Sequence, residues 1–177
     1  MERLHVLGTG NAAVTRCYNT CFALEHRGEY LLCDAGGGNG ILRQLKLAGI
    51  GFGSIHHFII THAHCDHLLG AVWVLRMVGT AMKGGSYEGQ LHIYCHRSIA
   101  EGLTAMTKLM LPAAIQAFVG DRILFHPVED GTQVQMLDRT VTFFDIASTK
   151  LLQSGFTLPL DNGQKLCCLG DEPYNPA

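Results

Sequence analysis

The sequence predicts a mixed α/β or α+β sandwich. In the first half, short apolar runs of strand length alternate with segments whose apolar residues recur at helical spacing. From about residue 122 onward, strand-like runs follow one another with turn residues between them. The chain has 177 residues, 47% of them hydrophobic and only 16% charged, which supplies a core for a single domain over 1–177 and excludes disorder as the main state. The same alternation excludes a helical bundle and a β-barrel.

Taken in order, residues 2–7 read as a short apolar strand ending at Gly8-Thr9-Gly10. Residues 19–25 and 29–34 read as a hairpin around His26-Arg27-Gly28. Gly36-Gly37-Gly38 breaks the chain, and Ile41, Leu42, Leu45 and Leu47 then mark a helix that stops near Gly49. The Ile-rich run 55–60 is a buried strand that ends at Thr61. A helix follows over about 67–82, with Leu68, Leu69, Val72, Leu75 and Val78 along one side. Residues 91–95 form the next strand. Residues 98–110 are helical, with Ile99, Leu103, Met106 and Met110 on a stripe, and a second short helix follows Pro112. Such stripes are core packing rather than cofactor contacts. Strands are expected at 122–126, 133–137, 140–146, 155–160 and 165–170, with Asp138-Arg139 as a tight turn.

Composition narrows the function classes. No apolar run reaches 18 residues, so no membrane span is expected. Met1-Glu2-Arg3-Leu4-His5 has no signal-peptide core, and the chain reads as cytoplasmic. A net charge of −2 gives no broad basic surface for duplex nucleic acid. Seven cysteines without a CxxC pair read as reduced thiols in a reducing compartment.

The sharpest feature is Thr61-His62-Ala63-His64-Cys65-Asp66-His67, between a buried strand and a helix. Imidazole and carboxylate together suit zinc and other borderline divalent metals. His62 and His64 are two apart, so in an extended loop they point the same way and can share one metal. Asp66 and His67 lie where the helix begins and can face a second metal beside the first. The competing reading is a polar helix start with Asp66 as a cap.

This HxHxDH signature resembles the metallo-β-lactamase fold of metal-dependent hydrolases. Leu7-Gly8-Thr9-Gly10-Asn11-Ala12, continuing through Tyr18-Asn19-Thr20, resembles the ribonuclease Z-like branch. Cys33-Asp34-Ala35-Gly36-Gly37 and Leu169-Gly170-Asp171 resemble two strand ends of the same family. The resemblance implies an αββα four-layer sandwich with a metal site at one edge of the sheets. It implies that His62 and His64 bind one metal, that Asp66 and His67 bind the other, and that Asp171 bridges them. It makes Asp66 the catalytic group that orients or deprotonates the attacking water. Asp34 would hold a ligand histidine by a hydrogen bond. A plain turn residue explains Asp34 equally well, and a solvated turn remains the other reading of Asp171. The implied cofactor is Zn2+, one or two per site, with Mn2+ or Fe2+ as alternatives.

Two departures stand against the family pattern. The position where the family carries a third histidine for the first metal holds Ala147, in Asp145-Ile146-Ala147-Ser148-Thr149-Lys150. His126 is the one histidine beyond residue 96 and a weak substitute. The sequence also ends at Ala177, soon after Asp171, as though the C-terminal part of the sandwich were missing. The apolar run Leu166-Cys167-Cys168-Leu169 expects cover on both faces, which points to a homodimer or other self-association.

The function these features imply is a metal-dependent phosphodiesterase of the ribonuclease Z type, using metal-activated water. Its substrate is a small phosphodiester or a nucleic-acid end, with Ser148 and Thr149 as candidate phosphate contacts. The alternatives are a thioester, lactone or β-lactam hydrolase on the same fold, and a non-catalytic metal-binding form caused by Ala147 and the short C-terminus.

Overall fold

The computed structural model describes residues 2–171; residues 172–177, where the sequence ends, lie outside the described residues. The described residues form ten strands and four helices in the expected order. The first sheet takes β1 (Arg3–Gly8), β2 (Cys21–His26), β3 (Glu29–Cys33), β4 (Ile55–Ile59), β5 (Leu91–Cys95) and β6 (Ile123–Pro127), in that spatial order. Helices α1 (Gly40–Leu47), α2 (Cys65–Lys83), α3 (Arg97–Met110) and α4 (Ala113–Gln116) belong to the connections between its later strands. The second sheet holds β7 (Gln133–Met136), β8 (Arg139–Asp145), β9 (Ser154–Pro159) and β10 (Lys165–Cys168), in the order β10-β9-β8-β7.

β1, β2 and β3 pair antiparallel, β1 and β2 across the loop 9–20 and β2 and β3 across the two-residue turn Arg27-Gly28, whereas β3, β4, β5 and β6 pair parallel. Parallel neighbours need a crossover, and the helices supply it. The second sheet is antiparallel throughout. A single 3-10 turn at Phe52–Ser54 was not foreseen from the sequence; three residues carry no periodicity to read.

Both faces of the first sheet are buried at its centre, which is why β3 and β4 read as continuous apolar runs, whereas the edge strand β1 is largely exposed. Leu32, Phe58 and Ile93 face the helices and pack with Ile41, Leu45, Leu75 and Leu103. Their neighbours Leu31, Cys33 and Ile59 face the other way and pack with Val141, Phe143, Phe156 and Leu158 of the second sheet. The layers are therefore helix, sheet, sheet, and among the described residues no helix covers the outer face of the second sheet. On β10, Leu166 and Cys168 turn toward the inter-sheet core while Cys167 is exposed. The seven cysteines form no disulfide. No described helix is long and apolar enough to cross a membrane.

A ladder of rings crosses β4, β5 and β6. His57 stacks on His92 and on Tyr94, and His126 stacks on His92 and Tyr94. His92 Nδ1 and His126 Nε2 lie 2.9 Å apart, whereas His57 Nδ1 is buried with no partner. Burial, followed by the neighbouring His92, pushes His57 down to about 4. Below pH 6.5 the unfolded chain accepts a proton that folded His57 refuses, so its contribution is complete above pH 6.5 and is lost as pH falls toward 4. The shift corresponds to at most about 3 kcal/mol. Urea unfolding of His57→Leu should lose less stability between pH 7.5 and pH 5 than the parent chain does; an equal loss would show that His57 is not responsible.

Candidate metal centre

The site forms where β3 and β4 end side by side. Ligand sites in parallel sheets favour this edge, beyond the carboxyl ends of the strands. Asp34 follows β3 with φ +55, a left-handed conformation that Asp tolerates better than most residues. Its own N–H bonds back to the carbonyl of Ile59 at the end of β4. Its carboxylate accepts from the Thr61 N–H (2.9 Å), from the Thr61 hydroxyl (2.8 Å) and from His67 Nδ1 (2.7 Å).

These bonds fix the tautomers of two histidines. A carboxylate cannot donate, so the neutral His67 ring carries its proton on Nδ1 and leaves Nε2 free for a cation. The Thr61 hydroxyl gives its one proton to Asp34, so it can only accept from His62 Nδ1, 2.9 Å away, and His62 Nε2 is left bare as well. His62 Nε2, His67 Nε2 and Asp66 Oδ2 are all buried without a hydrogen-bond partner. Such groups need a partner, and a cation is one that suits two lone pairs and a carboxylate together.

The chain runs extended through His64, which is the N-cap of α2 but makes no side-chain capping bond. Asp66 lies in the first helical turn, where the helix dipole favours a negative charge, yet its Oδ2 is not used for capping. The His62 ring stands 4.6 Å from that of His64 and 4.1 Å from that of His67. Asp66 Oδ2 is 3.6 Å from His67 Nε2, and Asp171 Oδ2 is 3.5 Å from it. Two overlapping donor sets result: Asp34, His62 and His67, and Asp66, His67 and Asp171.

Burial pushes His62 down to about 4, with His67 adding to the effect. Burial opposes a charge on His67 too, but its hydrogen bond to Asp34 and the charges of Asp34, Asp171 and Asp66 raise it to about 9. The carboxylates around His67 thus attract positive charge. A third acid and histidine cluster shows the contrast. Glu2, His26 and Asp161 also converge, but the guanidinium of Arg139 bonds to all three and already supplies their cation.

Asp171 comes from the far side, on the turn after β10. Its N–H donates to Gln153 Oε1, and a Cβ on the preceding Gly170 would come within 2.8 Å of that same oxygen. The N–H of Ser154 donates to the carbonyl of Thr61, so the second sheet braces the histidine loop. A cleft of about 480 Å³ opens in front, lined by Asn11, Ala12, Ala13, His64, Cys65, Asp66 and Asp171. Its outer wall is held by Asn19, which donates to the carbonyl of Asn11 and accepts from the N–H of Gly37. Gly8 permits the approach, since a Cβ there would fall 2.0 Å from the carbonyl of Asn19.

Neither Ser148 nor Thr149 lines this cleft; the Ser148 hydroxyl accepts from the Gln153 side chain. Ala147 lies on the exposed turn after β8, at φ +53, with its N–H on Asp145, and it offers no ligand atom. His126 belongs to the ring ladder and not to this cluster. The sequence motifs contain Thr61, Asn11 and Ala12 but do not show their roles, the hydrogen bond to Asp34 and the cleft wall. The hydroxyl's role depends on Asp34, 27 residues away, and becomes visible only once β3 and β4 pair.

Fold and cluster together define a metallo-β-lactamase-fold protein of the ribonuclease Z-like kind. The chain belongs to the family described as Anti-Pycsar protein Apyc1, which matches residues 2–164. Ribonuclease Z of Methanothermobacter thermautotrophicus is 38% identical over 144 residues, covering 80% of this chain and 43% of that protein. The crystal structure of human tRNase Z, short form, superimposes with a TM-score of 0.77 at 21% identity, covering 97% of this chain and 69% of that one. The metallo-β-lactamase-fold protein YhfI of Bacillus subtilis gives 0.75 at 15% identity, covering 99% and 65%. The chain spans less than half the length of the curated ribonucleases Z that it matches.

Asp34→Asn should reduce zinc affinity by about 10- to 100-fold, because the amide cannot hold both Thr61 and the His67 tautomer; competition against a chromophoric chelator measures this. Gly70→Ala tests the frame behind the site. A Cβ there would sit 1.8 Å from the carbonyl of Ala35, whose N–H bonds to the carbonyl of His67. The variant should lose about 1–3 kcal/mol in urea unfolding, the range of an overpacked core.

Proposed function

We infer that the protein is a metal-dependent hydrolase of phosphodiesters, acting on a small phosphodiester or an RNA end. The observation that carries this reading is the set of buried, unpartnered ligand atoms His62 Nε2, Asp66 Oδ2 and His67 Nε2 beside an open cleft. The donors fit a divalent metal, with Zn2+ favoured by the histidines. His62 and His64 would hold one ion, Asp66 and His67 a second, and Asp171 would reach both. When bound, the metal supplies Lewis-acid polarisation of the phosphoryl oxygen and activation of water at neutral pH.

The chain's own residues do the rest. Asp66 would accept a proton from a water in the cleft and orient it toward phosphorus. Asp34 keeps His67 in the tautomer that leaves Nε2 facing inward. Thr61 does the same for His62. The Asn11–Ala13 wall offers an amide side chain and backbone groups to a phosphate that enters the cleft. The RNA-processing names of the relatives support phosphodiester chemistry over acyl transfer, and seven cysteines without a disulfide suit a reducing, cytoplasmic setting.

Hydrolysis of bis(p-nitrophenyl) phosphate should vanish after chelation and return with added zinc. Asp66→Asn should lower kcat by about 10²–10⁴-fold, the usual range for a lost general base. Turnover of a thioester but not of the phosphodiester would replace this reading with acyl hydrolysis. Bound zinc without turnover of either substrate would identify a metal-binding form.

A further inference from the structure

A second pocket lies beside the metal cleft on the same face of α2. It has a volume of about 270 Å³ and is lined by Gly37, Gly38, Leu69, Trp73, Arg76 and Met110, among others. Its apolar side chains are open to solvent: Leu69 is 39% exposed, Trp73 38% and Met110 56%. Helical periodicity alone does not account for them, since the core face of α2 is carried by Leu68, Val72, Leu75 and Val78.

A recess between the pocket and the metal cleft shares lining residues with each. Gly37, Gly38 and Leu69 also line a recess that includes Cys65 and Asp66, and those two residues line the metal cleft. Asp66, Leu69, Trp73 and Arg76 stand three, seven and ten residues apart on α2, one side of the helix. Trp73 is therefore about 10 Å along the axis from Asp66. Arg76 forms no ion pair among the described residues. An open aromatic face beside an unpaired guanidinium suits a flat ring attached to an anion.

We propose that this pocket, built on Trp73 and Arg76, is the stacking site for a nucleobase next to the phosphodiester held in the metal cleft. The proposal rests on the phosphodiester reading above and names where the rest of the substrate goes. Gly37 and Gly38 present no side chain above the path between cleft and pocket. Apart from Arg76 the named lining carries no polar side chain, so no base edge is read. Stacking on an aromatic face tolerates every base, and the site should discriminate nucleotides from base-free phosphates rather than one base from another.

Trp73 is the single tryptophan of the chain, so intrinsic fluorescence reports on the pocket directly. The full chain, supplied with zinc, is titrated with AMP and with ribose 5-phosphate, with affinities measured in parallel by calorimetry. AMP should quench the emission saturably and bind at least tenfold more tightly than ribose 5-phosphate, which should leave the emission unchanged. Trp73→Ala should remove that tenfold preference, and Trp73→Phe should retain most of it. Equal affinities for the two ligands, no AMP binding at millimolar concentration, or an unchanged preference in Trp73→Ala would overturn the proposal. Conversion of a dimer to a monomer by Trp73→Ala, with AMP affinity intact, would assign the patch to self-association instead. Quenching by AMP in a protein that turns over no phosphodiester would support the base site while refuting the hydrolase reading.

Discussion

The carboxylate of Asp34 is the constraint on which the rest of the site depends. It is a buried charge, and burying a charge is tolerable only when it is well bonded. Three donors meet it, two from Thr61 and one from His67. Those bonds tie the end of β3 to the continuation of β4 and to the first turn of α2. The Ala35 N–H then takes the carbonyl of His67, and the Gly70 N–H takes the carbonyl of Gly36. Strand end, loop and helix become one rigid piece before any ligand is considered.

That piece concentrates negative charge in a protein whose net charge is only −2. Asp34, Asp66 and Asp171 surround His67, and no arginine or lysine enters their cluster, in contrast to the place Arg139 takes among Glu2, His26 and Asp161. An anionic phosphodiester would be repelled from so acidic a centre. The arrangement makes chemical sense with a divalent cation that reverses the local sign, which is also the species its bare nitrogens suit. The nearest free cation along α2, Arg76, is set beside an apolar pocket and away from the acids.

Much of the fold was legible in the sequence. The strand expected at 91–95 is β5, and the helix expected at about 67–82 is α2, Cys65–Lys83, because buried elements impose long and consistent periodicities. The His62–His67 cluster was legible because its candidate donors lie within six residues. What was hidden depends on distance in the chain. Thr61 shows its purpose only when Asp34 is brought to it, and the stacked rings of His57, His92 and His126 come together only through strand register. Ser148 and Thr149 looked suited to a phosphate, but their turn is drawn toward Gln153, and the cleft wall is built from Asn11–Ala13.

The close spacing that made the candidate donors easy to read also bears on unfolding. His62, His64, Asp66 and His67 lie within six residues, so the denatured chain keeps them together as a flexible chelator. A ligand stabilises a fold only by the difference between its affinities for the native and unfolded states. A metal held by this segment loses part of its leverage, because the unfolded polypeptide competes for it with the same imidazoles. The long-range partners Asp34 and Asp171 are absent from that competition, and through them a bound ion would discriminate between the ordered protein and the disordered chain.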